Sequence, residues 1–406
     1  MSPIAEAATT PDVSVVMPCL DEEATLPRCI QQARELLEEL RRRHGYSGEI
    51  VIADNGSNDR SVEIATALGA RVASVMEPGY GSALIGGFAQ ARGRILVMGD
   101  ADGSYDFREA LPLVERIAAG DDLCLGTRMK GRILPGSMPW KNRWIGNPIL
   151  TAVLNILFRT GVSDAHCGLR ALSRRSVKSL RLNSPGMEFA SEMVVKAALL
   201  GLRISESPIT LHPDGRDRPS HLRPWRDGWR HLRYLFMLSP TWIFFGPSVL
   251  LGAVGLGVFA ALLSQPERQM VELLGLRFGD HWMIIAGALL TISHQAALFG
   301  VASLIYSLRE GFRTARPAHT AILRAVRLEF MLLVSLLLVA CSALLFFHVF
   351  RLWAASGFGA LSAVRELVGA TTLLGLGLQN FLGGFLLAIV AGNEARPELS
   401  IREAEH

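Results

Sequence analysis

Polar and apolar positions divide the chain into two differently patterned halves. Over residues 13–128, short runs that are apolar on both faces alternate with longer segments of helical periodicity: VSVVMP (13–18), EIVIAD (49–54), ARVASVM (70–76), RILVMGD (94–100) and DLCLGTR (122–128). Strands buried on both faces and separated by helices predict a mostly parallel sheet covered on both sides. In such sheets ligands collect beyond the carboxyl ends of the strands. The second half is patterned by the absence of charge. No Asp, Glu, Lys or Arg occurs from Tyr234 to Pro266, from His281 to Leu308, from Phe330 to Phe350 or from Leu367 to Asn393. A helix needs roughly 20 residues to cross the hydrocarbon core of a bilayer, and a full charge at its centre is costly. Each gap therefore predicts a transmembrane helix, with spans at about 241–263, 283–307, 330–350 and 368–391.

Arginines orient these spans. The segment between the second and third carries Arg309, Arg313, Arg316, Arg324 and Arg327, against two arginines in each of the loops 267–280 and 351–366. Positive loops stay inside, so the N-terminal domain and the tail both face the cytosol, as in a multi-pass protein of a bacterial inner membrane. Ahead of the first span, Trp225, Trp229, Leu232 and Phe236 form one stripe and Arg226, Arg230 and Arg233 another. That pattern predicts either an amphipathic interfacial helix or the cytosolic start of the first span with snorkelling arginines. Both hold the preceding domain against anionic headgroups. The predicted organisation is a flexible segment 1–11 without the pattern of a signal peptide, an α/β domain over 12–222, a juxtamembrane helix over 223–240, four membrane helices within 241–393 and a tail over 394–406.

Composition narrows the function. Lys and Arg number 41 against 37 Asp and Glu, a net charge of +4 that does not suit a nucleic-acid binder. The five cysteines (Cys19, Cys29, Cys124, Cys167 and Cys341) lie far apart, with no CxxC pair, so neither a zinc ribbon nor a disulfide framework is expected.

Candidate chemistry gathers at the predicted strand ends: Pro18-Cys19-Leu20-Asp21-Glu22-Glu23 after the first strand, Asp54-Asn55-Gly56-Ser57-Asn58-Asp59 after the second, and Asp100-Ala101-Asp102-Gly103-Ser104-Tyr105-Asp106 after the fourth. Carboxylates crowded at one edge repel unless a cation lies between them. Oxygen donors without His or Cys select a hard ion, Mg²⁺ or Mn²⁺. With an extended backbone, Asp100 and Asp102 would point the same way. Arg128, Lys130, Arg132, Lys141 and Arg143 follow without an intervening acid, in a stretch whose Pro135, Gly136, Pro139, Trp140 and Trp144 predict a structured loop at the membrane surface. That stretch reads as a phosphate cradle or as a basic loop touching headgroups. Gly79-Tyr80-Gly81 lacks the third glycine of a dinucleotide fingerprint, which is Leu84 here, and instead predicts a tight strand-to-helix turn. Adjacent His166 and Cys167, near Asp164, do not suit a single metal ion. Glu188 and Glu192 stand one helical turn apart, either in a salt bridge or near a sugar. His294, Gln295, Gln379 and Asn380 lie within spans, where interhelical hydrogen bonds or contacts with a lipid substrate are the alternatives.

The ordered motifs PCLDEE, ADNGSND, GDADGSYD, GTR, SDAHCGLRAL and GMEFASEM resemble the family-2 glycosyltransferases of GT-A fold, and within them the polyprenyl (dolichyl) phosphate mannose and glucose synthases, over about residues 12–233. The resemblance implies that Pro18, Leu20 and Glu22 flank a nucleotide base, that Asp54 meets the nucleotide, and that Asp100 and Asp102 face ribose, diphosphate and metal. Ser104 stands where many relatives place a further metal ligand, a Gln, and Leu20-Asp21 replaces the usual Tyr-Asn. It also implies that Arg128 and Arg143 act in catalysis with the two aspartates, and that Arg128, Arg132, Arg143, Asp164, Arg170, Glu188, Arg216 and Arg218 attend the acceptor phosphate and the sugar. Asp164 and Arg170 alternatively lock their loop, and Arg216 and Arg218 alternatively sit in a connector.

The chemistry implied is transfer of a hexose from a nucleotide diphosphate sugar, UDP-glucose or GDP-mannose in type with a lean towards glucose, to polyprenyl phosphate. A phosphate with a second pKa of about 6 is already an ionised nucleophile, so no strong general base is required. Two rivals remain at this level. A processive polysaccharide synthase would carry QxxRW, which is absent, and a non-catalytic lipid carrier or scaffold would not need Asp100 and Asp102. The chain could also form a homo-oligomer.

Overall fold

The computed structural model describes residues 10–215, 224–264, 270–273, 276–359 and 363–392. Two compact units divide at Met237 and Leu238. Arg216 and Arg218 lie outside the described residues, as do most of segment 1–11, the whole tail from 394 and the Glu267–Gln269 part of the loop after the first span.

In the first unit, β1 (Val13–Cys19), α1 (Leu26–His44), β2 (Gly48–Asp54), α2 (Ser61–Ala67), β3 (Arg71–Ser74), α3 (Tyr80–Gln90) and β4 (Ile95–Met98) follow the predicted alternation. Then come α4 (Leu111–Ala118), β5 (Leu123–Ile133), α5 (Asn147–Phe158), β6 (Arg170–Ser173), α6 (Arg174–Leu180), α7 (Phe189–Leu200), β7 (Ile204–Leu211) and α8 (Pro224–Met237). The sheet order is β3-β2-β1-β4-β6-β5-β7. β1 pairs in parallel with β2 and β4, and β2 with β3, whereas β6 runs antiparallel to both its neighbours. The register Pro18↔Ala53 and Cys19↔Asp54 brings β1 and β2 to an end together, and Val16↔Met98 aligns β4 beside them. Parallel pairing therefore delivers the acidic loops to one edge. Val13, Val15, Met17, Ile30, Leu36, Val97, Phe107 and Leu113 are buried in the core beneath it.

Three features depart from the sequence pattern. β6 and β7 are additional strands: β6 opens on a charged residue, and β7 has three polar residues in a row, Ser205 to Ser207, followed by Pro208. β5 extends to Ile133, with a register shift between Thr127 and Arg132 on the stretch facing Pro208, which has no amide to donate. Finally, the expected surface loop around 135–144 is only partly a loop. After a turn at Pro135–Gly136 the chain becomes helical at Trp140 and passes through a wide-turn segment, Asn142–Gly146, into α5.

In the second unit, α9 (Gly246–Leu263), a hairpin of β8 (Val271–Leu273) and β9 (Leu276–Phe278), α10 (His281–Arg309), the short α11 (Pro317–Ala325), α12 (Leu328–Ala355) and α13 (Val364–Val390) follow in order. Among the described residues, four helices are long and apolar enough to cross a membrane: Thr241–Leu263, His281–Arg309, Leu328–Ala355 and Val364–Val390. Some of their polar groups are satisfied between helices. Ser248 and Ser293 each donate a hydroxyl to the other's carbonyl at 2.8 Å, and Asn380 Nδ2 donates to Met331 O at 2.7 Å. His294 Nε2 and Gln379 Oε1 have no such partner. All five cysteines are free thiols, and four are buried. Burial pushes Cys19 up to about 11 and Cys167 up to about 12, so neither behaves as a reactive thiolate.

Candidate active site

The loop after β1 is laced to the loop after β2. Glu22 N–H donates to Ser61 Oγ at 2.9 Å, Asp21 N–H to Ser57 Oγ at 3.0 Å, Glu23 N–H to Asp59 Oδ2 at 2.9 Å, and Asn58 N–H to Asp21 Oδ1 at 2.7 Å. Asp21 adopts a left-handed backbone with φ 55°, a conformation Asp tolerates better than most residues. Pro18 and Leu20 are half-buried beside this lacing, and Glu22 is buried. Asp54 is buried too, and its carboxylate accepts Gly56 N–H at 3.2 Å and Ser57 N–H at 3.3 Å. Asn55 extends the network: Nδ2 donates to Val75 O and Glu77 O, and Oδ1 accepts Gly79 N–H at 2.7 Å.

Asp100 and Asp102 do not continue an extended strand. β4 ends at Met98, and the chain turns at 101–104 with Gly103 at φ 77°, so the turn sets their direction. Tyr80 donates its hydroxyl to Asp100 Oδ1 at 2.8 Å, and Ser104 N–H donates to Asp102 Oδ1 at 2.9 Å. Ser104 and Asp102 are both buried. Thr25 Oγ1 donates to Ala101 O at 2.7 Å, joining this turn to the first loop. Beyond β7, His212 N–H reaches Ser104 O and Gly215 N–H reaches Asp102 O, each at 2.9 Å. Thr25 lies in none of the motifs, and Asn55 and Tyr80 lie in ADNGSND and Gly79-Tyr80-Gly81 without a role having been assigned to either side chain. The reason for the two glycines is steric: a Cβ would lie 2.2 Å from Pro185 O at Gly79 and 2.0 Å from Ser184 O at Gly81.

The run of basic residues is not one open cradle, because its acidic partners come from distant sequence. Arg128 makes a two-pronged bond to Asp164 (Nε–Oδ2 and Nη2–Oδ1, both 2.7 Å), with both side chains buried. Burial alone would raise the Asp164 carboxyl, but the guanidinium holds it below its ordinary value. Lys130 pairs with Glu206 at 2.7 Å. Arg132 is exposed, and Arg143 is half-buried with its guanidinium 5.2 Å from the Trp144 ring centroid.

Arg170 is fully enclosed and donates to Cys167 O, Ala190 O and Ala165 O at 2.8–2.9 Å. Of its two expected roles, this geometry is the loop lock, since a guanidinium without exposed surface does not reach a ligand. Glu192 pairs with Lys196 at 2.6 Å and accepts the N–H groups of Asn183 and Ser184. Glu188, one turn earlier, is half-buried, and its Oε2 has no partner.

The donor set suits a hard cation that draws most of its ligands from a diphosphate and water. Asp100 and Asp102 supply carboxylate oxygens, and among the described residues no group of three His, Cys, Asp or Glu side chains could hold an ion by itself.

A mostly parallel sheet thus delivers acidic loops to one edge, and helices long and apolar enough to cross a membrane follow it in the chain. Residues 14–181 match the glycosyl transferase family 2 domain, and residues 301–391 match the glycosyltransferase family 2 C-terminal transmembrane region. Over 385 residues the chain is 38% identical to the low-salt glycan biosynthesis hexosyltransferase Agl6 of Haloferax volcanii, covering 94% of this chain and 90% of that one. The undecaprenyl-phosphate 4-deoxy-4-formamido-L-arabinose transferase of Pseudomonas aeruginosa is 35% identical over 177 residues, 41% of this chain and 49% of that one. Among solved structures, glucosyl-3-phosphoglycerate synthase from Mycobacterium tuberculosis in complex with Mn²⁺, UDP-glucose and phosphoglyceric acid superposes with a TM-score of 0.44 at 25% identity, over 56% of this chain and 79% of that one. The chain belongs to glycosyltransferase family 2.

Proposed function

We propose that the protein transfers one hexose from a nucleotide diphosphate sugar to polyprenyl phosphate, with Mg²⁺ or Mn²⁺ at Asp100 and Asp102. The observation that carries this reading is the convergence of the Asp54, Glu22 and Asp100–Asp102 loops on one sheet edge, in a chain that continues into four membrane-crossing helices. The loops after β1 and β2 hold the nucleotide, with Pro18, Leu20 and Glu22 beside the base and Asp54 meeting the nucleotide. Asp100 and Asp102 would hold a divalent ion, which when bound would supply neutralisation of charge on the leaving diphosphate. Tyr80 and the Ser104 amide fix the two carboxylates, so little reorganisation is needed as charge develops.

In the transfer, a phosphate oxygen of the lipid forms the new bond to the anomeric carbon. The bond from that carbon to the diphosphate oxygen breaks, and the nucleoside diphosphate leaves with the electron pair. A single in-line displacement inverts the anomeric centre. Arg143 and Arg132 are the cations available to the lipid phosphate. Arg128 acts through Asp164, holding the 163–168 loop where the sugar lies, and Glu188 is the acid closest to hand for a sugar hydroxyl.

The acceptor is greasy, and two helices of this unit present apolar side chains outward. α5 and its approach expose Trp140, Trp144, Ile145, Ile149 and Ile156, and α8 exposes Trp229, Phe236 and Met237. Both face the headgroup layer on the cytosolic side of the membrane.

The test is a donor panel with purified protein, polyprenyl phosphate and Mg²⁺ or Mn²⁺, resolved by thin-layer chromatography. UDP-glucose or GDP-mannose should yield a lipid-linked monosaccharide, and chelation or Asp102→Ala should abolish it. An active Asp102→Ala variant overturns the metal reading, and products longer than one sugar overturn single transfer. Arg143→Ala should raise the Michaelis constant for the lipid more than for the donor.

A further inference from the structure

The packing of α8 against α7 is polar at two successive positions. Ser191 Oγ lies 2.7 Å from His231 Nδ1 and 3.2 Å from His166 Nε2, and the two imidazole rings meet edge to face at 4.8 Å. One hydroxyl proton serves only one of the two rings, so the other ring must donate to the oxygen and the chain of bonds is directional. Three residues along the same helix, the half-buried Tyr234 lies beside Glu192 and Ser184. His231 is buried although it sits on the helix that bears the exposed Trp229 and Met237.

Each of these pins continues into a loop that walls the sheet edge. The first runs through His166, whose backbone N–H reaches Asp164 Oδ1 at 3.3 Å, and Asp164 holds Arg128. The second runs through Glu192, which accepts Asn183 N–H at 3.0 Å and Ser184 N–H at 2.9 Å. That loop then presses on the glycine turn, with Gly81 N–H donating to Pro185 O at 2.9 Å. Tyr80, between the two glycines, holds Asp100. The opposite face of α8 exposes Arg226 and Arg233 beside Trp229.

We propose that α8 is a relay: headgroup contact on its outer face sets the geometry of the 164–168 and 183–186 loops, with His231 and Tyr234 as positioning residues. Chains of packed and hydrogen-bonded groups are one route by which such coupling is carried; the second chain here reaches Asp100 through Tyr80, and the first ends at Asp164 and Arg128. The inference rests on the reading of α8 as a headgroup-facing helix, but not on the identity of the donor or acceptor.

The test uses the full chain in nanodiscs of phosphatidylcholine alone or mixed with phosphatidylglycerol, and reads amide hydrogen exchange without substrate. In the wild type, exchange in both loops should slow on anionic discs. His231→Phe should speed exchange at 164–168, and Tyr234→Phe at 183–186, by roughly fivefold, the equivalent of one net hydrogen bond. Each should remove the response to lipid charge in its own loop, while β1 amides stay protected. His231→Asn, which can restore a bond to Ser191, should recover the response. Should His231→Phe perturb the fold, Ser191→Ala severs the same link without added bulk. Loops that exchange as in the wild type in these variants overturn the relay, and a wild type indifferent to lipid charge overturns its headgroup input. With any accepted substrate pair, the ratio of turnover in anionic to neutral discs should fall to unity in both variants. This ratio is insensitive to the fraction of active protein, and a failed polyprenyl phosphate assay leaves the exchange result standing.

Discussion

Tyr80 illustrates how a single hydroxyl can matter at this sheet edge. It sits at the first turn of α3 and donates to Asp100 Oδ1, so Tyr80→Phe removes a donor without changing the packing. Turnover should drop roughly tenfold, with the Michaelis constant of the donor sugar nearly unchanged, in steady-state assays at saturating metal. His166 supplies a prediction about stability. Its imidazole is held well below the ordinary 6.5, first by burial and then by the neighbouring His231, with Arg128 and Arg170 adding in the same direction and Asp164 opposing. The folded ring therefore stays neutral while the unfolded one takes up a proton below 6.5. Its stabilising contribution is complete above that pH and is lost as pH falls towards the depressed folded value. The midpoint of thermal unfolding of the first unit should fall between pH 7 and pH 5, and His166→Asn should flatten that slope. Asp164, also depressed, acts in a separate window below 3.8, so the two are distinguishable.

Among the elements, α5 was hidden from the motif reading. Its sequence NPILTAVLNILF has no charged residue, yet the segment is too short to span a bilayer, and Pro135, Gly136 and Pro139 beside it suggested a loop. The structure makes it a helix with Ile149 and Ile156 more than half exposed. A face of that size in water is otherwise an aggregation hazard. Tryptophans at 140, 144 and 229 should be quenched by lipids brominated near the headgroup and spared by those brominated near the bilayer centre. Trp144→Ser combined with Ile149→Ser should raise the Michaelis constant for a long-chain lipid acceptor while sparing a short water-soluble analogue. The helix α1, in contrast, was legible throughout: Leu26, Cys29, Ile30, Ala33, Leu36 and Leu40 line its buried face, and Gly45 closes it in a left-handed cap.

For the molecule as a whole, the charge-free gaps and the arginine-rich segment between the second and third spans together define a topology that can be measured. In a background with the exposed Cys341 replaced by Ser, Ala318→Cys on α11 should react with a membrane-impermeant maleimide only after the cell is opened. Ser356→Cys, just beyond α12, should react in intact cells. The reverse pattern would place the acidic sheet edge on the opposite side of the membrane from that proposed.

The sequence by itself determined the division into an α/β unit and a membrane unit, the parallel core of β1 to β4, and the acidic loops at their carboxyl ends. These follow from local pattern, because burial on two faces and freedom from charge are written residue by residue. Tertiary structure decided which of those groups are spent on one another. Arg128 and Lys130 looked like open cations until Asp164 and Glu206, brought from 36 and 76 residues away, paired with them. Arg170 could be read either as a ligand-binding cation or as a loop lock, and the 165–167 carbonyls that close around it decide between the two. The antiparallel β6 was equally invisible, because a four-residue strand is stabilised by its two neighbours rather than by its own pattern. A buried ion pair depends on how the chain folds back on itself, and no local reading of the sequence contains that information.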